Sequence, residues 1–216
     1  MTTTARPVPI RTDRLLLRAF ELADGPARLA WQSRPDVARW LMRDPLDAVS
    51  VLVGIRRGQE GRLTDKDDRL LLAVARLDDG VLVGEVSARL DDVGSGQVEV
   101  GWVFDPEHSG RGYATEAAAA LVEELFSRHG AHRVFARLLE GNDASERLCR
   151  RLGMRREAHL RENELWRGEW TSELVYARLA SDPVPGGAAA GAATGAGVAG
   201  ATTGAGAGES VADGRA

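Results

Sequence analysis

Two glycines, Gly110 and Gly112, flank a single arginine in the stretch EHSGRGYATEAAAALVEELF, and a long amphipathic pattern follows at once. Glycine is a poor helix former, so its crowding at a helix start needs another reason. Glycine serves where the backbone must take positive φ or approach a ligand closely. A glycine turn feeding a helix N-terminus aims several N–H groups at one point, where the positive end of the helix dipole also acts. The chemistry on offer is anion binding, with a phosphate or pyrophosphate the commonest biological occupant. The stretch is not a P-loop, because no G-x-x-x-x-G-K-[ST] occurs. It is not a dinucleotide fingerprint, because Gly110-Arg111-Gly112-Tyr113-Ala114-Thr115 lacks the third glycine.

The surrounding elements must position this loop. A first strand is expected at RLLLRAF (14–20). ADGPARLAWQ starts a helix, with Asp24 as N-cap and Pro26 in the first turn. PDVARWLM and PLDAVSVLVGIRRGQ read as further short helices. RLLLAVARLDDGVLVGEVSARL reads as two strands joined at Asp79-Gly80. After the turn DDVGSG comes the strand QVEVGWVF, ended by Asp105-Pro106. In the helix behind the glycines, Ala114, Ala117, Ala118, Leu121, Val122, Leu125 and Phe126 recur on one face, and Gly130 is a natural stop. HRVFARLL (132–139) is a strand. NDASERLCRRLGM is a short helix with Asp143 and Glu146 as a capping box and Gly153 as its end. A hairpin with arms near 155–166 and 170–179, turning at RGEW, closes the pattern. Strands in a meander, then strand–helix–strand–helix–strand, predict an α/β fold with a mixed sheet flanked by helices. The glycine loop then lies between a strand and its crossover helix, where open α/β sheets bind ligands.

Composition narrows the class. Of 216 residues, 28% are charged and 44% apolar, which predicts a soluble globular domain. A net charge of −4 gives no general reason to bind nucleic acid or an anionic membrane. A single cysteine, Cys149, allows no internal disulfide; placed mid-helix among leucines, it reads as structural. The stretch MTTTARPVPIRTDR has no apolar run and so no signal-peptide pattern, and no stretch is long enough to span a bilayer. A cytoplasmic protein is expected. From Pro183 onward the chain is glycine- and alanine-rich with no apolar periodicity. The expectation is a working domain at 8–181 and a disordered tail at 183–216.

The loop Ser109-Gly110-Arg111-Gly112-Tyr113-Ala114 resembles the [QR]-x-x-G-x-[GA] acyl-CoA loop of the GCN5-related N-acetyltransferases (GNAT). VGWVFDPEH resembles the strand and proline turn that enter that loop, and TEAAAALVEELF its long helix. RTDRLLLRAF is similar to the opening of the RimJ/RimL-type ribosomal-protein alanine acetyltransferases. NDASERLCRRLGM and LRENELWRGEWTSELVYARL are similar to their later segments. Together these cover about residues 10–180. Ser109 stands where the family has Gln or Arg; the backbone cradle does most of the holding, and Arg111 supplies charge.

The resemblance implies the GNAT fold and direct transfer of an acetyl group from acetyl-CoA to a primary amine in a ternary complex. Ser109, Gly110, Arg111, Gly112, Tyr113, Ala114 and Thr115 would hold the pyrophosphate, and Asn142 the pantetheine amide. Backbone N–H groups at Trp102, Val103 and Phe104, where the strand splays, would meet the thioester oxygen; mid-strand Gly101 suggests a bulge there. Ser145 would donate to the leaving thiolate. Glu164 or Glu99 would deprotonate the amine. Glu162 alternates in phase with Glu164. Glu116 reads as a first-turn acid complementing the helix dipole. His159 reads as a surface strand residue. None of the four histidines has ligand spacing, and no metal is expected.

The acceptor cleft is expected between 31–60 and 159–170, which bring Trp31, Trp40, Trp166, Trp170, Arg34, Arg39, Arg43 and Glu164. Its mixed charge suits a peptide or protein N-terminus better than a polycation. The alternatives are a small amine, such as an aminoglycoside or polyamine, and a non-catalytic acyl-CoA sensor. A monomer or homodimer is expected.

Overall fold

The computed structural model describes residues 9–59 and 61–183. The glycine- and alanine-rich stretch expected to be a tail lies, from residue 184, outside the described residues. One mixed sheet runs β1-β2-β3-β4-β5-β6-β8-β7. Its strands are β1 (Ile10–Arg11), β2 (Leu15–Ala19), β3 (Arg69–Arg76), β4 (Leu82–Asp92), β5 (Gln97–Phe104), β6 (Arg133–Leu139), β7 (Arg155–Trp166) and β8 (Glu169–Leu179). β5 and β6 are parallel, and every other neighbouring pair is antiparallel.

Helices cover both faces. The crossover α4 (Tyr113–Ser127) and α5 (Asp143–Arg151) lie on one face. Ala117, Leu121, Leu125 and Leu148 bury there against Val98, Val100, Trp102 and Phe104 of β5. α1 (Gly25–Gln32), α2 (Pro35–Ala38) and α3 (Ala48–Gln59) lie on the other. Trp31, Val37, Val51 and Ile55 meet Ala73, Ala75 and Val103 on that side. Alternate residues of β5 therefore feed two cores, as befits a strand covered on both faces. Among the described residues no helix is long and apolar enough to cross a membrane.

Turn chemistry sets most boundaries as the sequence predicts. Gly80 (φ +73°) turns β3 into β4, and Gly153 (φ +74°) ends α5. Arg167 (φ +50°) and Gly168 (φ +83°) make the two-residue turn between β7 and β8. Three local expectations change. Asp24 precedes α1 but does not cap it: its carboxylate is taken by Arg18 at 2.7 Å and by the Glu21 N–H at 2.8 Å. Asn142, not Asp143, caps α5 and accepts from the Ser145 N–H at 3.2 Å. Gly101 sits in regular register with Ser87, and the bulge in that pairing falls between Leu90 and Asp92 instead.

Candidate active site

The site opens where the sheet does. β5 and β6 pair only at Gln97↔Arg133, Val98↔Val134 and Glu99↔Phe135. Beyond Glu99 they diverge, while β5 stays paired to β4 through Trp102, Val103 and Phe104. Main-chain groups of 100–104 that face β6 therefore meet a gap rather than a strand. Donors on a strand edge of this kind can stabilise an oxyanion without reorganising.

On the β5 side of the gap, Asp105 receives the Glu107 N–H at 3.0 Å and starts a short 3-10 turn ending at Ser109. Gly110 (φ +75°) and Gly112 (φ +80°) both take left-handed backbone. Gly112 is the N-cap of α4 and brings no side chain to cap it. The N–H groups of Tyr113, Ala114 and Thr115 have no acceptor within the helix, so they remain for an anion. The loop is pinned from behind. Arg14 donates to the Arg111 carbonyl at 3.0 Å and to Glu116 at 2.7 Å. Thr12 Oγ1 donates to Glu116 at 2.6 Å, and the Arg14 guanidinium stacks 5.0 Å over the Tyr113 ring. Glu116 thus locks the β1–β2 turn onto the loop, a larger task than complementing a dipole. The Arg111 side chain is exposed and makes no ion pair among the described residues.

On the β6 side lie Asn142 and Ser145, both buried. Trp102 donates its indole N–H to Ser145 Oγ at 3.1 Å across the gap. That bond takes one of the two lone pairs of the hydroxyl oxygen and fixes Ser145 Oγ beside the indole. Neighbouring Cys149 is fully buried, and burial raises its thiol pKa, so it is inert.

A cavity of about 610 Å³ occupies the α1–α3 side of the sheet. Trp102 and Val103 both line it. Both belong to the stretch of β5 that has left β6, so the cavity borders the gap there. The tip of the β7–β8 hairpin roofs it: Arg167 pairs with Asp44, and Thr171 Oγ1 lies 3.8 Å from Met42 Sδ. Glu164, Leu165 and Trp166 descend from this tip into the lining. β7 bulges between Leu160 and Glu164, with Glu162 at φ +48°, so the expected alternation of Glu162 and Glu164 is broken. Glu164 lines the cavity, while Glu162 is tied through its N–H to Ser172 Oγ at 3.0 Å.

Glu99 is placed differently. Its carboxylate is fully buried, directly opposite Arg89, which binds Oε2. Oε1 has no partner among the described residues. Burial pushes the carboxyl above its ordinary range, against the pull of Arg89. Glu99 is not part of the cavity wall.

Of the eight residues expected in an acceptor cleft, Arg43, Glu164 and Trp166 line the cavity. Trp31 is a core residue with 0% exposure, Trp40 lies under Arg39, and Trp170 is exposed at 61%. The polar wall comes instead from residues not expected there. Arg28 holds Glu85 at 2.6 Å, and Gln32 Nε2 donates to the same carboxylate at 2.8 Å. Arg137 binds Glu173, which also receives Asn163 at 2.7 Å. Space for the first group comes from Gly54 of α3, where a Cβ would meet Arg28 Nη1 at 2.8 Å. A signal existed in the sequence: Glu85, Ser87 and Arg89 alternate with apolar residues along β4. Such alternation reads as a solvent face, and only the covering helices turn it inward. His159 is a half-exposed partner of Glu140 at 3.2 Å. No cluster among the described residues could hold a metal ion.

An anion-ready loop, an opened parallel strand pair and a roofed pocket meeting at one gap suit transfer between two bound molecules, and known proteins share this plan. The acetyltransferase (GNAT) domain model matches residues 14–155. YnaD of Bacillus subtilis strain 168, an uncharacterized N-acetyltransferase, is 29% identical over 173 residues, covering 80% of this chain and 98% of YnaD. A crystal structure of a GNAT-family acetyltransferase from Bacillus anthracis superposes with a TM-score of 0.74 at 27% identity, over 81% of this chain and 100% of that one. RimL, a ribosomal α-N-protein acetyltransferase solved with coenzyme A, shares the fold at a TM-score of 0.67 and 18% identity, over 80% and 98% of the two chains. The chain belongs to the GNAT acetyltransferase family and is an N-acetyltransferase.

Proposed function

We propose that the enzyme moves an acetyl group from acetyl-CoA to a primary amine held in the roofed cavity, in one direct step. One observation carries this reading: Trp102 and Val103, on the stretch of β5 that has left β6 and runs on toward the Gly110–Thr115 loop, line the cavity, and Trp102 bonds Ser145. The N–H groups of Tyr113, Ala114 and Thr115 hold the pyrophosphate, with Ser109, Gly110, Arg111 and Gly112 shaping the turn. Asn142 orients the pantetheine arm. Main-chain donors among Trp102, Val103 and Phe104 meet the oxygen that gains charge as the amine attacks the thioester carbon. The C–S bond then breaks, and Ser145, its oxygen engaged by Trp102, donates to the departing sulfur.

Glu164 takes the proton from the acceptor ammonium. It lines the cavity, whereas Glu99 is buried away from its wall. The RimJ/RimL resemblance supports the α-amine at a protein N-terminus as acceptor. A second reading, a small amine, is favoured by the enclosure that Glu164, Leu165 and Trp166 of the hairpin give the cavity. Incubating the protein with acetyl-CoA and a panel of peptide N-termini and small amines, with CoA release followed by a thiol reagent, tests both. Acetylation of a peptide α-amine is the expected result. No release above the acceptor-free rate with any amine, despite acetyl-CoA binding, would sink the transferase reading in favour of an acyl-CoA sensor.

A further inference from the structure

The cavity wall is polar in an unbalanced way. Four arginines and three glutamates line it. Arg28 is matched to Glu85, and Arg137 to Glu173. Arg43 is matched to no carboxylate among the described residues. Its guanidinium donates to two neutral acceptors, the Asp44 carbonyl at 3.0 Å and Gln32 Oε1. Gln32 cannot turn away, because its amide nitrogen is committed to Glu85. Arginine has five N–H donors, so Arg43 keeps three for something else.

Arg43 is half-buried, and burial holds its guanidinium below its ordinary pKa; the Glu85 charge opposes this and Arg28 adds to it. A desolvated cation without an anion is costly for a fold. Its retention makes sense where a ligand brings the anion. The opposite charge is placed to match: Glu164, also in the wall, makes no ion pair among the described residues. One cavity thus offers an open carboxylate for an ammonium and an open, fork-shaped cation for a planar anion. The other three arginines are not equivalent sites: Arg28 and Arg137 are each paired with a buried glutamate, and Arg69 is engaged as well.

We propose that the acceptor is a primary amine that also carries a carboxylate, and that Arg43 binds this carboxylate while the amine faces Glu164. The inference rests on the acetyl-transfer reading above and narrows its substrate. The carboxylate has two possible sources: the free terminus of an amino acid or dipeptide, or an acidic side chain beside the N-terminus of a longer peptide. Both present the same chemistry to a bidentate guanidinium.

The test uses the full-length protein and two matched pairs of acceptors. Alanylalanine is compared with its C-terminal amide. A five-residue peptide amide with aspartate second is compared with the same peptide carrying asparagine. At least one pair is expected to show a KM about ten- to a hundred-fold lower for the acid, the range of a charge-assisted hydrogen bond. Arg43→Gln should bring that ratio to about one, and Arg43→Lys should keep part of it. A preference confined to the first pair identifies a free terminal carboxylate; one confined to the second, an acidic peptide end. A ratio near one for both pairs in the unaltered enzyme overturns the inference and leaves acetyl transfer standing, as does a preference that survives Arg43→Gln. If no acceptor is turned over, calorimetry with the N-acetylated forms on the CoA-saturated protein decides. Acid-selective binding lost in Arg43→Gln upholds the carboxylate site while acetyl transfer falls. Unselective binding, or none, overturns it.

Discussion

The two sides of the β5–β6 gap are built by different means. The loop side is made of backbone. Gly110, Gly112 and the first turn of α4 lie within a few residues of one another, and their N–H groups point as they do because two glycines adopt left-handed φ. The cavity side is made of side chains. Arg28, Arg43, Glu85, Arg137 and Glu164 come from α1, the segment after α2, β4, β6 and β7. No two are close in sequence, and each is aimed by packing that only the finished fold supplies. A backbone site tolerates many side chains and fails sharply when its glycines are lost. A side-chain site can be retuned one residue at a time, which lets one donor machinery serve many acceptors.

This contrast is broken most directly at Gly112. Gly112→Asp should place a carboxylate at the N-cap of α4, where the pyrophosphate would sit, and lower acetyl-CoA affinity by about a hundred-fold or more. Gly112→Ala is the milder companion. It pays strain of about 1–2 kcal/mol for left-handed backbone, and its Cβ would meet Arg14 Nη2 at 3.4 Å. Calorimetric titration with acetyl-CoA measures both. Equal affinity in the Asp variant and the unaltered protein would remove the loop from donor binding.

The next effects belong to the reacting end and should appear in kcat rather than in acetyl-CoA affinity. Ser145→Ala and Glu164→Gln should each slow turnover by about ten- to a thousand-fold, overlapping the lower part of the range of about a hundred- to ten-thousand-fold typical of acid–base groups. Trp102→Phe keeps an aromatic ring but deletes the donor to Ser145, and should cost about ten-fold through the serine. In a Ser145→Ala background the same change should cost little more, because the two act as one unit. Fully additive losses would show that Trp102 acts by packing alone. Glu164→Gln should also abolish the acidic limb of the pH–rate profile, and Glu99→Gln should leave it in place. The reverse pattern would move the base to the buried carboxylate opposite Arg89.

How much of this was legible follows the same divide. The strand–loop–helix around Gly112 could be read because short-range signals specify it: a strand ended by Asp105-Pro106, glycines at positive φ, and a helical apolar period. The succession of strands and helices follows from the same punctuation, apart from the two-residue strand β1, too short to carry a period; the place of β8 between β6 and β7 is set by long-range pairing that no local signal carries. The caps of α1 and α5 were misassigned because several residues near each start can accept hydrogen bonds. Asp24 is diverted by Arg18 and Glu21, and Asn142 outcompetes Asp143. The cavity wall was mostly illegible. Glu85 and Glu173 look like solvent-facing strand residues until helices and the hairpin tip cover them, and the β7 bulge cancels the two-residue period that tied Glu162 to Glu164. Trp31 falls in the 31–60 segment expected to build the cleft, yet its size is what the core uses.

The smallest expected effect separates the loop's chemistry from its support. Glu116 touches no proposed ligand group; it joins Thr12 and Arg14 to the first turn of α4. Burial pushes its carboxyl upward, but hydrogen bonds from Thr12 and Arg14 and the Arg14 charge outweigh this and hold it below the ordinary glutamate range. A carboxyl with a lower pKa folded than unfolded contributes stability that is complete above its unfolded value, about 4.3. That contribution is lost as pH falls through the folded value. Glu116→Gln should therefore lower Tm near neutral pH by only about 2–4 °C, the equivalent of roughly 1 kcal/mol in a domain of this size, because the Arg14 side chain is half exposed and its pairing is weakened by solvent. The gap in Tm should narrow as pH drops below about 4 and close in stronger acid, since the native glutamate is then protonated and donates or accepts much as glutamine does. Acetyl-CoA affinity at neutral pH should fall two- to five-fold, about 1 kcal/mol or less, because the loop loses its brace and keeps its N–H groups. Differential scanning calorimetry across pH 3–7, with acetyl-CoA titration at pH 7, measures both quantities. A Tm gap that stays constant with pH would show that Glu116 acts by packing alone, and a loss of affinity as large as that of Gly112→Asp would place its carboxylate among the groups that shape the anion site itself.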